Sequence, residues 1–253
     1  MAERSGRERR ARRAATITIV ALTLAVPSAV AVLMSGPAHR VGLLGARSAI
    51  GVVAVAGLVS LATAALALAG FALALSSRAW RSVAGSFVAL AVGLAAGWLP
   101  LTMARAAASV PLIHDITTDT DHVPQWVALQ PRRAASENGT AYGGPTVAAL
   151  QKRGYADLGP LLLPVTPDRA FARAEAAARR MGWLIVAAAP AEGRLEASDT
   201  TRWFGFTDDI VVRVTATPQG SRIDVRSASR VGRSDLGVNA KRIRAFLAAV
   251  AKG

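Results

Sequence analysis

The sequence predicts an α+β protein with three N-terminal transmembrane helices followed by a small antiparallel sheet that carries two helices on one face. Three observations lead to this fold class. The hydrophobic fraction is 52%, and the 22 glycines among 253 residues add to it, whereas soluble domains counted with glycine lie at about 45–50%. Long charge-free runs fill residues 1–105, and residues 166–253 alternate between apolar and polar positions between turn signals.

Three runs without Asp, Glu, Lys or Arg define the transmembrane region, residues 1–105. They lie between Arg13 and Arg40, between Arg47 and Arg78, and between Arg81 and Arg105. Each run is longer than the roughly 20 apolar residues that a helix needs to cross a bilayer. We therefore predict spans at about 14–34, 49–75 and 82–103.

The first run also has the arginine-rich start of a signal peptide. Its apolar part is longer than the usual 7–15 or so residues of such a peptide, and no clear A-x-A cleavage site precedes Gly36-Pro37. These features favour an uncleaved span.

The arginines around the spans predict the orientation in the cell membrane. With a cytoplasmic N-terminus, six arginines before the first span join Arg78 and Arg81 inside, while Arg40, Arg47 and Arg105 lie outside. Eight against three obeys the positive-inside rule. We expect residues 106–253 to be extracytoplasmic.

Small residues recur along the third span at every fourth position, as Gly85, Ala89, Gly93 and Gly97. Such a stripe lets helices approach closely in lipid. It predicts packing among the three spans of one chain or, alternatively, homo-oligomerisation. The spans contain no charged residue, so the sequence does not suggest a transporter.

The remaining chain divides at about residue 165. Prolines and glycines indicate an extended, irregular segment at 106–165, and residues 166–253 form an α+β domain. We predict a helix from Thr166-Pro167 to Met181 and a final helix after Ser234. Four strands lie between them, at Trp183–Ala188, Arg194–Phe204, Asp209–Thr217 and Arg222–Ser229.

The hairpin register separates two faces of this sheet. Pairing Phe204 with Asp209, and Ala216 with Ser221, places apolar residues on one face and charges of both signs on the other. This pattern predicts a sheet covered on one side only. Asp199 falls on the apolar face, where we expect a bond to a partner such as Arg242. The alternative is a perturbed catalytic acid in a pocket beneath the helices.

Several motifs resemble one family, the domain of unknown function 1499 family. They are Asp199–Asp209 (DTTRWFGFTDD), Val225–Gly232, Ser234–Arg244, Pro111–Asp119 and Tyr155–Leu158. The resemblance covers about residues 111–250. It implies a bacterial envelope or plastid protein with N-terminal membrane segments, and it implies no biochemical activity.

Metal binding is a weak possibility. His114, Asp119, Asp121 and His122 lie close in sequence, but their spacing matches no standard closed site, and Asp-rich segments usually form turns. The chain has no cysteine, which excludes thiolate sites and disulfides. We expect no metal and no cofactor.

The arginines of the domain suggest a binding surface for anions. The candidates are Arg202, Arg213, Arg226, Arg230 and Arg233. The alternative is a solvated face partly neutralised by Glu196 and Asp224. Arginine suits phosphate and carboxylate groups, and Arg230 and Arg233 are best placed because they precede the last helix.

These features favour a domain that binds a membrane-protein partner or an anionic lipid or envelope polymer without catalysis. An envelope hydrolase using Asp199 and a structural subunit of a membrane complex are the alternatives. Nucleic-acid binding is not expected, because the net charge of +14 is concentrated around the apolar half of the chain.

Overall fold

A computed structural model describes residues 2–253 and shows two compact units. One ends at Arg105 and the other begins at Ala106. We describe each unit separately.

Three long helices form the first unit: α1 (Ala2–Arg40), α2 (Ala46–Ser77) and α3 (Trp80–Ser109). All three are long and apolar enough to cross a membrane. Large apolar side chains point away from the bundle, and Leu58 and Trp98 are 68% and 63% exposed. Such surfaces require an apolar solvent, so the helices indicate membrane association.

The stripe of small residues on α3 packs against α1 and α2 of the same chain. Ala89 lies in a cluster with alanines of both helices. A Cβ atom added to Gly93 would lie 2.7 Å from the carbonyl oxygen of Ser60, and one added to Gly85 would lie 2.6 Å from Thr18 Cγ2. The contacts therefore support the prediction of packing within one chain, and homo-oligomerisation stays a prediction.

The second unit is built around one antiparallel sheet. Its elements are β1 (Asp115–Thr117), α4 (Gln130–Ala134), α5 (Gly144–Gly154), β2 (Leu161–Leu163), α6 (Pro167–Arg180), β3 (Leu184–Ala189), β4 (Arg194–Thr200), β5 (Thr207–Thr217), β6 (Gly220–Ser229) and α7 (Val238–Lys252). The strand order is β1-β6-β5-β4-β3, and β2 also pairs with β6. The predicted fold class is confirmed.

The segment 106–165 is more ordered than its proline content indicates. It supplies two helices and the strands β1 and β2, which are three residues each and pair with β6. Three residues are too few to show an alternating pattern. Whether such a segment becomes a strand depends on the strand it packs beside and not on its own sequence.

Helices α6 and α7 cover one face of the sheet and form the main core. Phe171 of α6 and Phe246 of α7 join Leu195, Ile210 and Val225 from the strands. The ring of Trp183 stacks on Phe246 with centroids 4.9 Å apart. Complete removal of such side chains from water stabilises the fold by about 1.5–3 kcal/mol each.

The register of one hairpin is as predicted and that of the other is not. Strands β5 and β6 pair Ala216 with Ser221 as expected. Strands β4 and β5 pair Asp199 with Asp208, whereas the predicted register pairs Asp199 with Val214. The turn is longer than the sequence suggests, because β4 ends at Thr200. The slip is an even number of residues, so it leaves the assignment of faces unchanged.

The second face of the sheet is also covered, which corrects the expectation of an open, charged face. A segment that we call the strap, residues 118–140, crosses it. Trp126 and Leu129 of the strap pack with Val211 and Ala228 of the sheet. The charged residues of this face are therefore buried, and they need partners inside the protein.

Candidate functional site

Asp199 is held by the last helix. The guanidinium of Arg242 donates to Asp199 Oδ2 over 3.1 and 2.9 Å and to Asp208 Oδ2 over 2.7 Å. The Asp199 side chain is 38% exposed. Arg242 is one of the partners that the sequence predicts, and its charge matches the carboxylate, which favours a structural role for Asp199.

Asp209 points to the opposite face from Asp208 and is fully buried. It accepts hydrogen bonds from Arg133 Nη1 at 3.2 Å, from Arg230 at 2.9 and 2.8 Å, and from the Ser198 hydroxyl at 2.7 Å. The Asp209 carboxylate therefore has a complete set of donors. Arg230, a predicted anion-binding residue, is committed to this internal pair.

Arg226 is enclosed beneath the strap and is 1% exposed. Its guanidinium donates to both oxygens of Asp115, at 3.0 and 2.7 Å. It also lies 4.7 Å from the ring centroid of Trp126, a cation–π arrangement. This predicted surface arginine is thus part of the interior.

Arg213 and Arg222 both donate to Asp119 Oδ2, at 3.0 and 2.9 Å, and both contact Asp224. The backbone N–H groups of Asp121 and His122 donate to Asp119 Oδ1. Burial raises the pKa of Asp119, but these N–H groups and the two arginines outweigh it, so the pKa lies below its ordinary value of 3.8.

Of the four candidate metal ligands, Asp119, Asp121 and His122 lie in one turn, whereas His114 lies outside it. The Asp119 oxygens are occupied by protein donors, as an Asp-rich turn predicts. In the chain from residue 2 onward, no group of three His, Cys, Asp or Glu side chains is arranged to hold a metal ion.

Glu196 anchors the strap. Its carboxylate is fully buried and accepts the backbone N–H groups of Val127, Ala128 and Leu129 at 3.1, 2.9 and 2.8 Å. Arg194 pairs with the same carboxylate. Glu196 is predicted from the sequence to lie on a solvated face, because nothing in the pattern of residues 118–140 indicates that this segment crosses the sheet.

A cavity of about 280 Å³ lies beside β1. Its wall contains Leu112, Ile113, His114, Asp115, Asn138, Ala141, Gly143, Val147 and Arg233. The Asn138 amide donates to the carbonyl oxygens of Ser229 and Gly232 at 3.0 and 2.9 Å, which fixes the chain leading to Arg233. We call this space the Arg233 cavity.

His114 lies in the wall of this cavity, and its surroundings disfavour the protonated form of its ring. Burial lowers its pKa from the ordinary 6.5, and Arg133 acts in the same direction, whereas Asp115 and Asp235 oppose them. Its Nδ1 atom has no hydrogen-bond partner within residues 2–253. The neighbouring Asp115 is neutralised by Arg226.

The five predicted arginines thus separate into two groups. Arg213, Arg226 and Arg230 form ion pairs within the domain. Arg202, in the β4–β5 loop, and Arg233 are exposed. Arg133, which the sequence analysis does not single out, belongs with the first group and is 1% exposed.

These features define a class of protein: three apolar helices followed by an α+β domain whose sheet is covered on one face by helices and on the other by a strap held through ion pairs. The chain belongs to the family described as "Protein of unknown function (DUF1499)", whose profile matches residues 115–250. This confirms the resemblance. A comparison with curated proteins finds no match.

Proposed function

We propose that this chain is a multi-pass membrane protein with a cytoplasmic N-terminus, whose domain from Ala106 onward lies outside the cytoplasm. The domain binds an anionic component of the cell envelope and performs no catalysis. The positive-inside rule supports this orientation, because eight arginines then lie on the cytoplasmic side and three lie outside.

The binding proposal rests on the ion pairs between acidic and basic side chains within the domain. Residues 106–253 contain 19 basic and 14 acidic side chains. Eleven of these carboxylates form ion pairs with basic side chains: Asp115, Asp119, Asp121, Asp157, Glu175, Glu192, Glu196, Asp199, Asp208, Asp209 and Asp224. The acidic groups are thus largely neutralised internally, and the positive excess is left to exposed arginines.

Four arginines illustrate this excess. Arg132, Arg153, Arg180 and Arg233 are exposed, and none has a carboxylate partner in the part of the chain that the structure describes. Exposed guanidinium groups without internal partners favour association with phosphate or carboxylate groups.

The ion pairs of the carboxylates also argue against the alternative that the domain is a hydrolase. A general base needs a carboxylate free to take a proton. Asp199 bonds Arg242, and Asp208 and Asp209 are also paired with arginines, so their oxygens already accept hydrogen bonds from within the protein.

The test is polymer binding by the full chain in nanodiscs of zwitterionic lipid. We expect retention of polyphosphate and polyglutamate, weakening as salt rises, and no retention of neutral dextran. Combined substitution of Arg132, Arg153 and Arg180 by Gln should reduce retention. The matched control replaces Arg7, Arg9 and Arg10 by Gln in the N-terminal segment.

Absence of polyanion retention at low salt contradicts the proposal. So does retention that falls only in the N-terminal control variant, because the binding surface would then lie outside the domain.

A further inference from the structure

The Arg233 cavity combines concave shape, unmatched charge and apolar surface. Asn138 fixes the turn that carries Arg233 by bonding Ser229 and Gly232. The guanidinium therefore extends from an ordered backbone at the wall of a space of about 280 Å³.

The electrostatics of this cavity favour an anion. The Asp115 charge in its wall is balanced by Arg226, since both carboxylate oxygens accept from that guanidinium. Arg233 has no carboxylate partner among residues 2–253, so its charge is the one left unbalanced in the wall.

The rest of the wall adds hydrogen-bond donors and apolar contacts. Gly143 lies in the wall and precedes α5, whose start no side chain caps, so the backbone N–H groups of the first turn, apart from Pro145, which has none, have no side-chain partner. Leu112 and Val147 contribute hydrocarbon. The wall thus offers several donors for a multi-oxygen anion and an apolar surface for the group that bears it.

We propose that the Arg233 cavity is a binding site for a phosphate monoester, with Arg233 contacting the phosphate and with Leu112 and Val147 contacting the body of the ligand. The inference rests on the proposed function and gives it a defined site. A phosphate monoester has three terminal oxygens for the guanidinium and the backbone donors, whereas a carboxylate has two oxygens. The same chemistry occurs in a soluble sugar or glycerol phosphate and in a lipid headgroup.

The test is calorimetric titration of the full chain in zwitterionic nanodiscs with glycerol 3-phosphate. A second arm measures binding to phosphatidylcholine vesicles with and without phosphatidic acid, which distinguishes a soluble ligand from a lipid headgroup. We expect Arg233→Gln to raise Kd about tenfold or more, because it removes a charged hydrogen bond. Ala141→Phe, which inserts a ring from the cavity wall, should weaken binding similarly.

Arg169→Gln is the matched control, because it makes the same charge change at an exposed position of α6, outside the cavity, and it should leave Kd unchanged. Near-UV circular dichroism of each variant shows that the domain is folded. Binding of acetate as tight as that of glycerol 3-phosphate overturns the assignment to phosphate. Tight phosphate binding that survives both Arg233→Gln and Ala141→Phe overturns the site.

The two proposals fail separately. Polyanion retention without binding in either phosphate arm overturns the Arg233 site and leaves the proposed function standing. Absence of all anion binding overturns both.

Discussion

Single arginines in this domain differ in whether a carboxylate lies within reach. Arg226 is enclosed, and its pairing with Asp115 and its contact with Trp126 replace the water it has lost. Arg233 lies in the loop that follows β6 and has no such partner within residues 2–253. The residue type is the same, and the surroundings decide between an internal and an external role.

His114 makes the stability of the domain depend on pH. Its pKa is lowered by burial, and Arg133 adds to the effect, so the unfolded chain binds a proton more readily than the folded one. This contribution to stability is present above pH 6.5 and is lost as pH falls through 6.5 towards the folded pKa. We expect His114→Gln to show a smaller fall in Tm between pH 7 and pH 5 than the wild type, measured by near-UV circular dichroism in detergent.

His122 provides the control for this prediction, because its side chain is 85% exposed. The His122→Gln variant should keep the wild-type dependence of Tm on pH. Identical slopes for wild type and His114→Gln would contradict the burial argument.

For single residues, the sequence predicts an ion-pair partner where the face of the sheet on which the residue lies requires one. Asp199 lies on the apolar face, and a carboxylate there needs a cation, which Arg242 of the neighbouring helix supplies. The sequence does not predict the partners of Glu196. The backbone N–H groups that donate to its carboxylate lie almost 70 positions away along the chain, and no periodic pattern connects the two segments.

At the scale of elements, the strap depends on one carboxylate. We expect Glu196→Gln to lower the free energy of unfolding by about 3–5 kcal/mol, because it leaves Arg194 and three backbone amides without their shared anion. Amide hydrogen exchange at residues 127–129 should accelerate more than exchange in α6. The control is Glu192→Gln, which changes a 62% exposed partner of the same arginine and should cost under about 1 kcal/mol.

Unchanged exchange at residues 127–129 in Glu196→Gln would show that apolar packing of Trp126 and Leu129 is sufficient to hold the strap.

Helix packing in the first unit depends on Gly93. A Cβ atom there would lie 2.7 Å from Ser60 O and 3.1 Å from Ala64 Cβ, so α2 and α3 would have to separate. We expect Gly93→Ala to lower the Tm of the chain in detergent by several degrees. Gly51→Ala on α2 is the matched control, since a Cβ there meets no atom within 4 Å. Equal Tm values for the two variants would contradict the packing.

Whether a helix or strand can be predicted from the sequence depends on how many residues it contains. The three apolar helices are evident because arginines mark their limits, and α6, α7 and the central strands show clear periodicity. Strands β1 and β2 are too short to show any. The β4–β5 hairpin is misregistered because the sequence does not show that β4 ends at Thr200, and the loop after it contains stacked Phe204 and Phe206, apolar residues that resemble a continuing strand.

At the scale of the whole molecule, the proposed topology is directly measurable. The chain has no native cysteine, so a single introduced thiol reports its own compartment. In intact cells, we expect a membrane-impermeant maleimide to label Ala172→Cys, on the exposed side of α6, and not Ser5→Cys. Both variants should react after membrane permeabilisation. Labelling of Ser5→Cys alone in intact cells would reverse the orientation.

The central position of β6 has a consequence for biogenesis. This strand, residues 220–229, pairs with β1, β2 and β5. Strand β1 is the first strand of the sheet along the chain and pairs with β6, so it gains this neighbour only after β2 to β5 have been synthesised. Until then Asp115 has no Arg226 to pair with, and its carboxylate remains hydrated.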